Sequence, residues 1–179
     1  LNKVVLCGDF HSSPSVKKFY MKLFESIGEK SKEQVTVALE CYDTSVDPLF
    51  QKWLKGEVND EELLEVGCWE ENWGFSWRSY RKFIMHLYEK GFAFKCVNSL
   101  ERDFLKRDLE LAENIKEISR KSEGLVLFLV GQLHLGPDHL PKNLRKLSNS
   151  LDPLCVHLDP EELYFELEEY NLLKEVQVL

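Results

Sequence analysis

Two histidines each stand three residues after a glycine, Gly8-x-x-His11 and Gly131-x-x-His134, and each follows an apolar run, "VVLCG" and "LVLFLVG". A third run, "QVTVALE", ends on Glu40 between them in sequence, with Cys41, Tyr42 and Asp43 behind it. Asp9 lies inside the first motif, and Asp138 and His139 follow the second. Imidazoles with carboxylates support two kinds of chemistry. They bind a divalent metal such as Zn, Mn, Fe or Co, with His11, Glu40 and His134 as the ligand set. They also do metal-free acid–base work, with a carboxylate orienting the imidazole. In a hydrolase of that kind His11 is the general base, Glu40 orients it, and His134 polarises the substrate or holds a metal.

Each residue has a plainer reading. Asp closes turns, so Asp9 reads equally as a turn cap. A carboxylate ending an apolar strand, as Glu40 does, needs a partner. His139 also suits an exposed position at the helix start near Pro137, His86 suits a solvated helix face, and His157 stays open. Trp69, Trp73 and Trp77 recur every four residues, which suits an aromatic face packed on the core or a hydrophobic wall over a flat ligand.

The elements that must position these groups alternate along the chain. Residues 3–8, 34–40, 92–98, 124–134 and 153–158 read as strands, and the closing "EVQVL" as a last one. Ser13 caps and Pro14 opens a helix whose Val16, Phe19, Tyr20, Leu23, Phe24 and Ile27 recur at helical spacing. Two short helices over 46–66 split near Gly56. A further helix carries Trp77, Tyr80, Ile84, Leu87 and Tyr88 on one face and stops at Gly91. Residues 101–121 and 160–170 read as helices too. Continuous apolar strands alternating with helices predict an α/β fold with a mainly parallel central sheet covered by helices on both faces. Ligands in such sheets bind outside the carboxyl ends of the strands, where both G-x-x-H motifs and Glu40 fall. The N-terminus of the first helix, aimed at the same place, favours an anionic ligand group. The expected organisation is one domain over 1–179, with a helical insertion at about 43–91.

A chain of 179 residues, 44% hydrophobic, can bury a substantial core. Its net charge of -8 argues against nucleic acid as a partner, and its longest apolar stretches are far shorter than the roughly 20 residues of a membrane span. The five cysteines show no CxxC spacing and read as reduced, structural thiols. That usage suits a reducing, cytoplasmic compartment. Because the sequence starts at Leu1, an export signal or lipid anchor upstream is the alternative.

"GDFHSSPS", "VALE", "WRSYRKFI" before "FKCVNS", "KRDLELAENI" and "LVGQLHLGPDHLP" occur in an order that resembles the ChaN-like haem-binding uptake family of the Tiki, TraB and erythromycin-esterase superfamily. The likeness covers roughly residues 3–141. It implies a central parallel sheet and a site carrying Gly8, His11, Glu40, Gly131 and His134, with Arg107-Asp108 matching a supporting helix motif of the esterase branch. Asp9 departs from the family's usual glutamate, shortening the carboxylate's reach by about 1.5 Å. The resemblance implies a small-molecule or tetrapyrrole ligand, haem foremost, in iron or cofactor handling, at a pocket of Asp9, His11, Glu40 and His134 with His139 nearby. Haem ligation in the family involves a tyrosine, for which Tyr42 and Tyr80 are the positional candidates. The Trp77 region supplies an apolar platform, at the interface of a homodimer in that reading. The alternative is an esterase or metal-dependent peptidase.

Overall fold

A computed structural model describes residues 3–28, 35–122 and 124–158. The helix expected at 160–170 and the strand expected at 175–179 lie outside the described residues. Strand β1 (Val4–Asp9) leads into α1 (Pro14–Gly28), then β2 (Val35–Asp43). Four helices follow: α2 (Asp47–Leu54), α3 (Asp60–Val66), the single turn α4 (Trp69–Asn72) and α5 (Trp77–Glu89). Then come β3 (Ala93–Asn98), α6 (Phe104–Lys121), β4 (Leu125–Gly131), α7 (Leu140–Leu147) and β5 (Leu154–Val156).

Among the described residues the five strands form one sheet in the order β3-β2-β4-β1-β5, with every neighbouring pair parallel. The sheet is covered on both faces, as the sequence predicts. Along β4, Leu127 and Leu129 pack with Tyr20 and Phe24 of α1 and with Phe83, Ile84 and Leu87 of α5. Val126, Phe128 and Val130 alternate to the other face, against Leu111 and Ile115 of α6 and Leu140 and Leu144 of α7. Strand side chains point alternately to opposite faces, so a strand buried on both sides must be apolar throughout. The chain steps from β1 out to β3 with its helices on one face, then returns to β4 and β5 with helices on the other. Right-handed crossovers require that change of face when the direction of progress reverses.

Two strand ends differ by three residues from the sequence-based bounds, and β5 is shorter than the expected 153–158. β4 stops at Gly131 rather than 134, because its ladder with β1 ends at the Asp9–Gly131 pair; Gln132–Leu135 then form a 3-10 turn. β2 continues to Asp43 rather than stopping at 40. β3 runs alongside it as far as an Asp43–Asn98 pair, with an irregular register after Leu39. Gly56 and Gly91 fall where the helices break, both at positive φ (74° and 89°).

All five cysteines are free. Burial pushes the Cys7, Cys41 and Cys96 thiols up, with the Glu40 charge adding to the effect at Cys41, so none of the three is a thiolate near neutral pH.

Candidate functional site

Strand β4 lies between β1 and β2, so Gly131 stands between the end of β1, which carries Asp9, and Glu40 of β2. Gly131 donates its N–H to Glu40 Oε2 at 2.6 Å. A Cβ on Gly131 would lie 3.0 Å from His11 Nε2, 3.4 Å from His134 Cδ2 and 3.5 Å from Glu40 Oε2. The second G-x-x-H glycine is therefore a missing side chain at the centre of three functional groups. A Cβ on Gly8 would meet the end of the Gln132 side chain, which would have to swing aside.

From this centre the polar groups form a continuous chain. Buried Asp9 accepts from Lys17 Nζ through both oxygens (2.8 and 2.7 Å) and from the Tyr80 hydroxyl at 2.9 Å. His11 Nδ1 sits 2.9 Å from Asp9 Oδ2. Surrounded by donors, Asp9 is a carboxylate that accepts from Nδ1–H, which makes Nε2 the nitrogen available to gain or lose a proton. His11 Nε2 lies 3.5 Å from Glu40 Oε2, and Glu40 Oε1 lies 3.2 Å from His134 Nε2. His134 Nδ1 is 2.5 Å from Oδ1 of fully buried Asp108, whose Oδ2 is 2.9 Å from His139 Nδ1.

Burial alone would raise the Asp9 carboxyl, but the His11 hydrogen bond and the Lys17 charge hold it below the usual range. Burial of Glu40 is likewise overcome by His134, His11 and the Gly131 N–H, so its carboxyl is also lowered. Burial works against the charge on His134, yet its hydrogen bonds to Asp108 and Glu40 raise it to about 9. It is an imidazolium clamped between two carboxylates at neutral pH. Its folded-state value lies above the ordinary 6.5, so the stability it contributes is complete below about 6.5 and disappears as pH rises through about 9. Thermal unfolding from pH 6 to 10 should show the midpoint falling across that window in the wild type. In His134→Gln the fall should flatten.

These groups open onto a cavity of about 840 Å³ lined by Asp9, His11, Glu40, Gly131 and His134 on its floor, with Trp73, Phe75 and Phe104 among its walls. The His11 ring packs 4.4 Å from Trp73, and His134 stacks on Phe104 at 4.4 Å and 29°. Asp9, His11, Glu40 and His134 are thus brought together as the sequence suggests. The group that orients His11 is Asp9, reaching it despite its shorter side chain, and Glu40 lies on the opposite side of the ring. His139 attaches behind Asp108 and does not line the cavity. Tyr80 is buried under Asp9. Tyr42 is buried against Trp69 and Phe50 and lines a smaller neighbouring pocket. Trp77 packs against Trp53 and Trp69, while Trp73, one turn earlier, forms the wall. Sequence reasoning did not find Lys17, although it stands three residues before Tyr20 and seven before Phe24, on the buried face of α1.

No three His, Cys, Asp or Glu side chains among the described residues are grouped to hold a metal ion. Both nitrogens of His134 face carboxylates, which leaves that ring no lone pair to offer.

A doubly wound parallel sheet with a histidine–carboxylate chain at its carboxyl edge defines the class of protein. Residues 2–106 match the family described as haem-binding uptake, Tiki superfamily, ChaN, and the chain belongs to that family. Among solved structures it is similar to ChaN of Campylobacter jejuni, which binds haem cofacially. That likeness has a TM-score of 0.61 and 16% identity, over 88% of this chain and 82% of that one. It is also similar to the type III effector HopBA1 (TM-score 0.60, 13% identity, 89% and 78% covered). A third similar structure is RRSP, a MARTX toxin effector domain from Vibrio vulnificus (TM-score 0.55, 16% identity, 87% of this chain and 33% of that one). At these identities the likeness is one of fold. The comparison with curated proteins returned no match.

Proposed function

We propose that the cavity carries out acid–base hydrolysis of a small ester-type substrate. The observation that supports it best is the His11 ring, fixed through Nδ1 by Asp9, with Nε2 turned toward Glu40 and Gly131 on the cavity floor. A base held in one tautomer by a carboxylate is what water activation needs. A water on the cavity side of the His11 ring gives its proton to Nε2 as its oxygen attacks the carbonyl carbon, and Asp9 stabilises the imidazolium that forms. The leaving oxygen then takes that proton from His11, which restores the base. His134, with both nitrogens committed to Glu40 and Asp108, holds Glu40 in place on the cavity floor. Burying this many ionisable groups at one strand edge carries a desolvation cost that an apolar carrier pocket has no reason to bear.

The test is p-nitrophenolate release from a series of p-nitrophenyl esters, by wild type and by Gly131→Ala. The alanine methyl separates His11, Glu40 and His134 at a site whose backbone φ of -51° suits any residue. Wild type should hydrolyse at least one ester, and the variant should lose at least about tenfold in rate with its thermal midpoint little changed. No turnover of any ester, or equal turnover by the variant, overturns the reading.

A second reading, tetrapyrrole binding in iron or cofactor handling, is favoured by family membership and by the aromatic walls of the cavity. The expected tyrosines do not suit an axial ligand. Tyr80 is committed to Asp9, and Tyr42 is buried outside the cavity. His86 and His139 lie outside the cavity, and both nitrogens of His134 face carboxylates. Of the two rings left, His11 sits on the floor with Nε2 close to Glu40, and His157, exposed at the cavity rim beside Gln132, is the one open to a large planar ligand. Hemin titration followed at the Soret band should then saturate in the wild type and fail in His157→Ala. Saturation that is unchanged in the variant removes His157 from the reading.

A further inference from the structure

The cavity contains polar groups that the acid–base chain does not use. Among the buried side-chain polar atoms without a hydrogen-bond partner are Arg107 Nε, Trp73 Nε1 and Gln132 Oε1, and all three residues line this cavity. Two of the three atoms are donors. An unpaired buried donor costs free energy in the folded protein, and an arginine is seldom buried without a carboxylate beside it. Among the described residues Arg107 has no ion pair. Its guanidinium instead lies 5.8 Å from the Phe104 ring centroid, and Phe104 in turn stacks on His134. The carboxylates of the cavity floor are already committed: Asp9 to Lys17, Glu40 to Gly131 and His134, and Asp108 to His134 and His139; Glu71 and Glu101 line the smaller pocket that Arg107 also borders, and neither forms an ion pair with it.

We propose that Arg107, with the Trp73 indole N–H, binds an anionic carboxylate or phosphate group on the ligand of this cavity, whose aromatic or apolar body lies against Phe104, Trp73 and Phe75. The proposal deepens the hydrolytic reading by naming the class of substrate, an amphipathic anionic ester, and rests on that reading for the word substrate. The planar guanidinium fork matches either group, and a donor held in low dielectric by aromatic walls discriminates charge more sharply than one in water.

Calorimetric titration with three probes of similar body tests it: 1-naphthaleneacetate, 1-naphthyl phosphate and the neutral 1-naphthaleneacetamide. Wild type should bind at least one anion about 10- to 100-fold more tightly than the amide. Arg107→Met should abolish that preference while keeping the amide affinity, which also reports an intact cavity, and Arg107→Lys should recover part of it. Arg102→Met, altering an arginine that lines only the smaller pocket, should change nothing. Whichever anion is preferred identifies the group as carboxylate or phosphate. Equal binding of charged and neutral probes, a preference that survives Arg107→Met, an equal loss in Arg102→Met, or no binding at all overturns the proposal. His11→Ala should retain the anion preference. A failure of the hydrolytic reading therefore appears in turnover alone, and a failure of this one in the probe comparison alone.

Discussion

Lys17→Met is expected to cost about 3–5 kcal/mol of folding stability, the range for removing one partner of a buried ion pair. The Lys17 ammonium is buried, bonds both oxygens of Asp9, and donates to the His11 carbonyl at 2.9 Å. It also lies 4.4 Å from the centroid of the Tyr80 ring. Methionine fills much of the same volume but supplies no charge, so Asp9 keeps a buried carboxylate with only His11 and Tyr80 beside it. Urea denaturation at pH 7 followed by tryptophan fluorescence measures the loss. Asp9→Asn added to Lys17→Met removes the stranded charge and should recover part of the stability. That non-additivity distinguishes an ion pair from a simple packing defect. A single-variant cost below about 1 kcal/mol would mean that the Asp9 charge is compensated without Lys17.

Lys17 also shows where reading the sequence reaches its limit. The strands are legible because burial on both faces demands runs such as "LVLFLVG", which few other contexts tolerate. The breaks at Gly56 and Gly91 are legible because positive φ favours glycine. The order β3-β2-β4-β1-β5 is not, since any parallel strand can neighbour any other at equal hydrophobic gain. The placement of β4 between β1 and β2 is what brings Gly131 beside both Asp9 and Glu40. The ends of β2 and β4 are not legible, because a strand stops where its neighbour's ladder stops, and that is a property of the partner.

The site divides in the same way. His11, Glu40 and His134 are visible because polar residues at the ends of apolar strands stand out against their surroundings. Asp108 is visible only through a family resemblance, and its part in joining His134 to His139 needs the fold. Trp73 and Trp77 are indistinguishable by spacing. The break at Gly74 (φ 70°) interrupts the helical path between them, leaving Trp73 on the cavity wall and Trp77 against Trp53. A lysine on a helix reads as solvated by default; its spacing to Tyr20 and Phe24 puts Lys17 on the buried face of α1, but that it meets Asp9 there is a property of the fold.

His11→Ala separates catalysis from stability, the converse of Lys17→Met. The His11 side chain is 18% exposed, and its loss leaves Asp9 still bonded to Lys17 and Tyr80. The variant should therefore stay folded, losing about 1–3 kcal/mol for the Asp9 hydrogen bond and the contacts with Trp73 and Phe75, less than Lys17→Met. Its kcat/KM for the preferred p-nitrophenyl ester should fall by about 10²- to 10⁴-fold, the usual contribution of a positioned general base. Added imidazole should restore part of the rate, because alanine vacates a space opening onto the cavity and Glu40 remains beside it. Rescue would place the missing function at a ring nitrogen, which a packing defect cannot mimic. Unchanged turnover would remove His11 from the reaction and with it the role of Asp9 as its orienting carboxylate. The histidine–carboxylate chain would then be a structural feature of the sheet edge, and tetrapyrrole binding at His157 would become the reading to pursue.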